Sequence, residues 1–269
     1  MSYYTSLTGL KNAQTELNVV AHNIANAETT GFKKSSTAFA DIVSSSVITD
    51  PALTVGIGSR VSKISQEFSL GAIEQTGSAL DLALDGEGFF TTVSPVSGQT
   101  EYTRNGSFTV DGNGFIKNAS NARLQVFPIV NGAVSTASRQ DVQIPTVNAS
   151  GSPYSSVTIS QDGHVTATYD DGSNSDLGVV AVANFIAPDG LKQMGASTWT
   201  ATGKSGAATY GQPGTGTLGG LMSGSLERSN VDIAEELVEL ISAQRYFQAN
   251  AKAIDTATQI SQTVINLRN

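Results

Sequence analysis

Residues 10–31 read LKNAQTELNVVAHNIANAETTG, and the apolar positions of this stretch decide the architecture of one end of the chain. They recur at spacings of three and four residues, which places them in one narrow stripe along a helix. We predict a helix from about residue 4 to residue 28, because Gly31 is suited to the left-handed conformation just past a helix end. The stripe consists of Leu10, Ala13, Leu17, Val20, Ile24 and Ala27.

The other end of the chain predicts a second and longer helix. No Pro or Gly interrupts residues 231–266, and Ser229 and Asn230 are good N-terminal caps. Such a helix would extend about 50 Å, which exceeds most globular helices and favours a coiled coil or an assembly element. Its apolar stripe consists of Ile233, Leu237, Leu240, Phe247 and Ile254, and then drifts to Ile260, Val264 and Leu267.

Both stripes are narrow, and this decides how we expect them to be used. The two helices could pack on each other within one monomer, but two thin stripes bury little surface on their own. We therefore expect copies of the same chain to complete the contacts. The predicted self-assembly seams are formed by Leu10, Leu17, Val20, Ile24, Leu237, Leu240, Phe247, Ile254, Val264 and Leu267.

The middle of the chain changes to alternation with a period of two, interrupted by turn residues. Residues 111–114, Asp-Gly-Asn-Gly, separate two short extended runs, and Asp162 and Gly163 separate two more, as in β-hairpins. Leucine occupies every second position in residues 80–84, which predicts a further strand. The apolar run 179–185 has the length of a buried strand.

Together these patterns predict an α+β fold with a discontinuous, coiled-coil-like core of N- and C-terminal helices and an antiparallel β middle domain. The predicted domains are a helical core of residues 1–32 with 229–269, extended joints at 33–75 and 203–228, and the β domain at 76–202. A short helix is expected from Ser35 to about Ile48. Within the second joint, Gly219 and Gly220 are expected to act as a hinge, since small residues lower the cost of backbone rotation.

Composition and charge exclude several classes of function. A formal net charge of −8 argues against broad binding of nucleic-acid backbones. The absence of Cys excludes disulfides and thiolate chemistry, and two His residues leave little for zinc or for catalysis. The N-terminal sequence shows no pattern of a cleaved secretory signal. We expect no catalytic, cofactor or metal site and no small-molecule substrate.

Three motifs could suggest such sites, and each has a simpler interpretation. Residues 214–219 match G-x-G-x-x-G, but no strand precedes them and no helix follows directly, so a flexible joint is favoured over a dinucleotide site. The acidic turn at Asp111 lacks the closing carboxylate of a calcium loop. An enzyme with paired acids is the rival class, but Glu235 and Glu236 are adjacent on a helix and are expected to be solvated.

Residues 23–33, Asn-Ile-Ala-Asn-Ala-Glu-Thr-Thr-Gly-Phe-Lys, closely resemble the N-terminal motif of the bacterial flagellar rod and hook proteins. The segments 224–232 and 244–250 resemble the C-terminal motif of that family, and 80–90 and 102–108 match its middle region. The resemblance implies that Asn23, Asn26, Gly31 and Phe32 belong to the family's helix-ending turn.

The resemblance further implies an axial flagellar subunit that is exported unfolded by the flagellar export apparatus and polymerises into a tube. The implied partners are copies of the chain, the rod proteins, the hook cap and the hook–filament junction proteins. The segments 2–10, 66–71 and 264–268 are similar to hook proteins, whereas the length of 269 residues is closer to the distal rod protein. The hook interpretation is favoured here, with the distal rod as the alternative.

Overall fold

The computed structural model describes residues 2–43, 56–130 and 132–266, and the chain forms two compact units. Unit 1 combines Met1–Ala27, Lys34–Glu67 and Val231–Asn269. Unit 2 combines Glu28–Lys33 and Phe68–Asn230. Each unit is thus assembled from segments that are distant in the sequence.

Unit 1 contains the two predicted helices and a β-hairpin. Helix α1 spans Ser2–Ala25 and helix α2 spans Ile233–Asn266, so both predicted helices are confirmed to within about three residues at each end. Strand β1 (Ser35–Val43) pairs antiparallel with β2 (Gly56–Gln66). Within the described residues, neither helix has an apolar stretch long enough to cross a membrane.

The start of α2 is capped differently from the prediction. The Asp232 carboxylate accepts a hydrogen bond from the backbone N–H of Ala234 at 2.8 Å, and a weaker one from that of Glu235 at 3.3 Å. This is the N-cap arrangement that satisfies the free donors of a helical first turn. Asp232, rather than Ser229 or Asn230, therefore begins the helix.

A short helix was expected from Ser35 to about Ile48, but the described part of this range, Ser35–Val43, is strand β1 of the hairpin. The expected helix is therefore wrong over this part. The register joins Ser35 to Gln66 and Asp41 to Ser59, with a bulge between Ala38 and Phe39. The apolar positions at Phe39, Ile42 and Val43 fit a helix spacing over so short a run, which is the usual ambiguity of short apolar segments. Much of the expected joint at 33–75 is therefore a paired ribbon.

Unit 2 is an antiparallel β structure with one short 3₁₀ helix at Pro188–Gly190. Its strands are β3 (Ile73–Gln75), β4 (Leu82–Asp85), β5 (Phe89–Val93), β6 (Thr100–Thr103), β7 (Thr109–Val110), β8 (Ile116–Lys117), β9 (Arg123–Phe127), β10 (Ile129–Val130), β11 (Ala133–Val134), β12 (Gln140–Asp141), β13 (Tyr154–Ile159), β14 (His164–Tyr169), β15 (Asn174–Val180), β16 (Val182–Asn184), β17 (Lys192–Gly195), β18 (Thr198–Thr200), β19 (Thr209–Gly211), β20 (Gly220–Ser223) and β21 (Ser225–Glu227).

The main sheet follows the order β13–β14–β15–β9–β5–β6–β18–β17, and every neighbouring pair is antiparallel. Strands β7, β8, β12, β16 and β19 join it at the sides, while β4 pairs with β20 and β3 with β21. Both predicted hairpins are confirmed, with Val110 opposite Ile116 and Val157 opposite Ala167. The antiparallel β middle region of the predicted α+β fold is confirmed as well.

Two apolar clusters form the core of unit 2. The larger one fills the space around Leu84, Phe90 and Leu124, and it includes residues of β4, β5, β9, β13 and β14. The smaller one is aromatic and centres on Trp199, which is fully buried and makes edge-to-face contacts with Phe68 and Phe89. Such ring pairs add stability beyond that of the buried area.

The second expected joint, residues 203–228, also contains paired strands. β19 pairs with β16, β20 with β4, and β21 with β3. The abundant glycines suggested an unpaired linker because composition does not show which backbone groups find partners. The predicted limits of the domains and joints remain predictions.

Candidate assembly site

Helices α1 and α2 pack against each other within unit 1. A Cβ atom on Gly9 would lie 2.6 Å from Asn250 Oδ1, and the Asn23 amide donates to Glu236 Oε2 at 3.1 Å. Because the partner number falls as the α1 number rises, the helices run antiparallel. The buried and half-buried residues of α2 include, at spacings of three and four, Glu236, Leu240, Ala243, Phe247, Asn250, Ile254 and Ala257.

The predicted seam residues separate into two groups. Val20 is buried, and Leu10, Leu17, Ile24, Leu240, Phe247 and Ile254 are half-buried. Leu237 and Val264 are 46% and 61% exposed, and Leu267 lies outside the described residues. Part of the predicted seam therefore lies on the side where the two helices of one chain meet, and part of it is open.

Several bulky apolar side chains of α2 are left uncovered in the isolated chain. Every residue from 258 to 266 is exposed, although this segment keeps bulky aliphatic side chains. Single exposed apolar residues are common on proteins, but a concentration of them at both ends of one helix is typical of an interaction surface. The large exposed apolar residues of α2 are Ile233, Leu237, Val238, Ile241, Tyr246, Ile260, Val264 and Ile265.

Asn23 and Glu236 place polar groups inside the helix pair. Asn23 is 1% exposed, and its amide also donates to the Ser35 carbonyl while its Oδ1 accepts from the Ser35 N–H, both at 2.9 Å. Lys34 Nζ lies 2.9 Å from Glu236 Oε1. Burial lowers the pKa of Lys34, but the carboxylates of Glu236, Glu239 and Glu235 together outweigh it, so the net shift is upward.

Glu236 was expected to be solvated, and this expectation is wrong. Its side chain is fully buried, whereas Glu235 beside it is 62% exposed. Asn26, also part of the motif, makes a local bond from its amide to the His22 carbonyl at 2.9 Å. Asn23, in the last turn of α1, and Asn26, just after it, thus form hydrogen bonds that hold the end of the helix.

Gly31 and Phe32, the other motif residues, belong to unit 2. Gly31 has a φ of +66°, as the sequence predicted. A Cβ atom there would lie 2.5 Å from the backbone nitrogen of Asn105, so the position is also closed by packing. The Gly31 N–H donates to the Glu227 carbonyl at 2.8 Å, and Phe32 is 4% exposed. The turn is therefore docked onto the β structure.

A buried ion cluster, formed by Lys33, Arg104 and Glu227, lies beside this turn. Lys33 Nζ is 2.5 Å from Glu227 Oε1, and Arg104 Nη1 is 3.4 Å from Glu227 Oε2. Lys33 and Glu227 are fully buried and Arg104 is 3% exposed. Burial lowers the pKa of Lys33, against the opposing effect of Glu227. Each of the three residues comes from a different motif of the sequence, at 23–33, 102–108 and 224–232.

The predicted hinge residues lie in ordered structure. Gly219 donates its N–H to the Glu87 carbonyl at 2.7 Å, and a Cβ atom on it would lie 2.7 Å from the Asp85 carbonyl oxygen. Gly220 begins β20 and has open space where a Cβ would be. Close packing therefore explains why position 219 is occupied by glycine. At Gly220 there is no neighbouring atom that would exclude a larger side chain.

The residues considered for catalysis are not gathered into one site. His22 is exposed, and His164 pairs with Asp176 at 2.7 Å, with both side chains about 40% exposed. The turn at Asp111 is closed by its own carboxylate, which accepts from the N–H groups of Asn113 and Phe115. Across the described residues, no cluster of acidic and histidine side chains has the geometry of a metal site.

Three family models match the chain in its own order. They are described as "Flagella basal body rod protein" (residues 4–33), "Flagellar hook protein FlgE/F/G D1 domain" (83–167) and "Flagellar basal body rod FlgEFG protein C-terminal" (222–267). The first and third matches cover most of α1 and α2, and the second covers much of unit 2.

Curated relatives match over nearly the whole chain. The flagellar basal-body rod protein FlgG of Bacillus subtilis is 36% identical, over 99% of this chain and 98% of that protein. FlgG of Borreliella burgdorferi is 31% identical, over 98% and 97%. The flagellar hook protein FlgE of Escherichia coli is 27% identical, over all of both chains, in an alignment of 410 positions. On this similarity, and on the motifs that meet in the buried ion cluster, the chain belongs to the family of bacterial flagellar rod and hook proteins.

Proposed function

We propose that this chain is a structural subunit of the bacterial flagellum that polymerises with its own copies into an axial tube. The observation that carries the proposal is the set of exposed bulky apolar side chains on α2, in a chain that is similar to rod proteins along its full length. Proteins of this family are structural, and the chain is not an enzyme.

The coiled-coil-like helical core expected from the sequence is the basis of the polymer in this proposal. The heptad-like spacing of half-buried residues along α2 supports it, since such spacing suits knobs-into-holes packing. The pair α1–α2 uses one side of α2, and neighbouring copies would cover the rest, including Leu237 and Val264. Closed or helical assemblies of identical chains need such complementary surfaces.

The test is polymerisation of the purified protein with Val264→Asp and, as a matched control, Gln262→Asp. Both positions lie in the exposed part of α2, so neither change removes a contact within the chain. We expect Val264→Asp to abolish or strongly delay polymer formation in light scattering and electron micrographs, while the control polymerises normally. Equal polymerisation of both variants would refute a role for the exposed apolar side chains at this end of α2.

We further propose that the polymer is the distal rod. Support comes from relatives named as basal-body rod protein FlgG, which align with 95–99% of this chain and of their own length at 31–36% identity. The alignments with the hook relatives span 410 and 411 positions, whereas this chain has 269 residues. The hook relatives therefore contain long segments that this chain lacks.

The hook interpretation stays as the second candidate because the segments 2–10, 66–71 and 264–268 are similar to hook proteins. A hook bends as it rotates, whereas a rod is a stiff shaft, so the two differ in the form of the polymer. Electron micrographs of polymers and of flagellar basal bodies, with an epitope tag in an exposed loop such as that around Gly98, distinguish them. Straight, labelled shafts support the rod, and curved, labelled tubes support the hook.

The proposed partners are copies of the chain, other axial proteins (rod, hook cap and hook–filament junction proteins) and the flagellar export apparatus. The location follows as the flagellum, in the basal body for a rod and at the cell surface for a hook. No nucleic acid, cofactor or small-molecule substrate is part of the proposal. Gly220, which has room to change conformation, is the better candidate for a hinge than Gly219.

A further inference from the structure

The buried ion cluster contains two cations and one anion. Lys33 and Arg104 contribute positive charges, and Glu227 contributes the only negative charge that contacts them within the described residues. Glu87 attracts Arg104 from a distance but is exposed, so water screens it. The Arg104 Nε is buried with no hydrogen-bond partner, which agrees with a shortage of acceptors at this point.

Glu227 also joins segments that are far apart in the chain. Its Oε1 accepts from the backbone N–H of Gly71 at 3.0 Å as well as from Lys33, and its carbonyl accepts from the Gly31 N–H. Lys33 Nζ donates to the Ser69 carbonyl at 2.6 Å. One carboxylate thus holds together residues 28–33, residues 68–72 and the β6 end at Arg104.

The residues next to Glu227 contact the same parts of unit 2. The Arg228 N–H donates to the Ala72 carbonyl at 2.8 Å, and its guanidinium forms ion pairs with Glu28 and with Glu74. Strand β21, which ends at Glu227, pairs with β3. The segments 28–33, 68–76 and 224–230 of unit 2 therefore form one contact region, which we term the gathered segments.

From this geometry we propose that Glu227 is an electrostatic latch that orders the gathered segments only after β21 has docked. Before Glu227 arrives, Lys33 and Arg104 would be two buried like charges without a counter-ion, and burial of unpaired charge is strongly unfavourable. Residues 28–33 therefore stay loose on the partly folded β structure. When β21 pairs with β3, the carboxylate enters, neutralises one cation and binds the other.

Because the cluster has more cations than anions, the latch predicts different losses of stability from Glu227→Gln and Lys33→Met. Removal of the anion in Glu227→Gln leaves two uncompensated cations, whereas removal of a cation in Lys33→Met leaves the balanced pair Arg104–Glu227. An ordinary 1:1 buried ion pair would lose comparable stability from either change, since each leaves one charge unpaired. The latch predicts that Glu227→Gln is clearly the more damaging of the two.

The experiment is amide hydrogen exchange on the full-length protein, read separately in the gathered segments and in the hairpin β13–β14. In Glu227→Gln we expect exchange at residues 28–33 to accelerate about 100-fold or more, with little change in the hairpin, because local opening precedes global unfolding. In Lys33→Met the acceleration should stay below about tenfold. The exposed pair variant Arg228→Gln is the control for surface charge and should change little, as exposed ion pairs contribute little.

The double variant Lys33→Met with Glu227→Gln keeps the test decisive if Glu227→Gln does not fold. With one cation fewer it should regain part of the lost protection and fold better than Glu227→Gln alone. Pulse labelling during refolding tests the order directly, with the Gly31 amide expected to gain protection no earlier than β21. Equal effects of Glu227→Gln and Lys33→Met, no recovery in the double variant, or protection of Gly31 before β21 would each overturn the proposal.

Discussion

Replacement of Gly31 by alanine should destabilise unit 2 much more than the same change at Gly98. Both residues have a φ of +66°, so an alanine meets the same left-handed backbone strain at either position. At Gly98 there is nothing within 4 Å of the new Cβ, whereas at Gly31 it would lie 2.5 Å from Asn105 N and 2.7 Å from the Arg104 carbonyl carbon. The pair of variants therefore separates backbone strain from close packing.

The magnitudes follow from these two contributions. Left-handed strain costs about 1–2 kcal/mol for a residue with a Cβ atom. The contacts at Gly31 are with backbone, which cannot move aside as a flexible side chain would, and overpacking of this kind adds about 1–3 kcal/mol. We expect a loss of about 1–2 kcal/mol for Gly98→Ala and about 2–5 kcal/mol for Gly31→Ala. For a unit of this size, each kcal/mol lowers Tm by about 2–4 °C.

The assay is thermal and urea unfolding of the monomer, followed by the fluorescence of Trp199, which lies in the core of unit 2 and is the single tryptophan of the sequence. Because close packing adds about 1–3 kcal/mol, a difference in Tm of about 2–12 °C between the two variants is expected. If both variants lose the same stability, the close approach of Gly31 to Asn105 has no energetic consequence and the reasoning fails. If Gly98→Ala lowers the stability more than Gly31→Ala, the assumption that both positions carry the same backbone strain is wrong as well.

The remaining predictions concern pH, the helices and the expected hinge. The pKa of buried Lys33 is lowered, so the unfolded chain binds more protons than the folded chain as the pH approaches 10.5. Stability should therefore rise with increasing pH on the alkaline side, towards 10.5, in urea titrations, and this slope should be smaller in Lys33→Met. In the free monomer, amides from Leu10 to Ile24 should exchange faster than those of β13–β14, and equal protection would contradict the need for neighbouring copies. Gly219→Ala should lower Tm while Gly220→Ala should not, because only Gly219 lies against backbone, and the reverse result would show that packing does not determine these positions.

Local periodicity was enough to predict the two helices of unit 1 and two hairpins of unit 2. A spacing of three and four residues over more than twenty positions is a strong signal, and a turn such as residues 111–114 fixes a hairpin through its own backbone preferences. The hairpin β1–β2 was missed because its strands carry no clear alternation of apolar and polar residues. Their exposure follows the irregular pattern of a bulged ribbon instead.

The buried charges could not be predicted from pattern alone. Lys33, Arg104, Glu227 and Glu236 belong to residue types that are almost always exposed, so each is assigned to the surface unless its partner is known. Here the partners are far apart in the sequence, 194 positions for Lys33 and Glu227 and 213 for Asn23 and Glu236. The available signal was that three of these charges stand inside the three motifs that carry the family resemblance.

The side chains buried in α1 and α2 are relevant to the proposed assembly of the chain. Within the described residues, the buried apolar side chains of α1 and α2 are Ala13, Val20 and Ala243, and two of these three are small. Asn23 and Glu236 fill buried positions with polar groups, and the pKa of Glu16 is raised by burial and by the nearby Glu239, which indicates like charges across the pair. Such contacts fix register and orientation more than they add stability. A pair that is well specified but weakly held would suit the proposed subunit, in which neighbouring copies cover the exposed apolar side chains of α2.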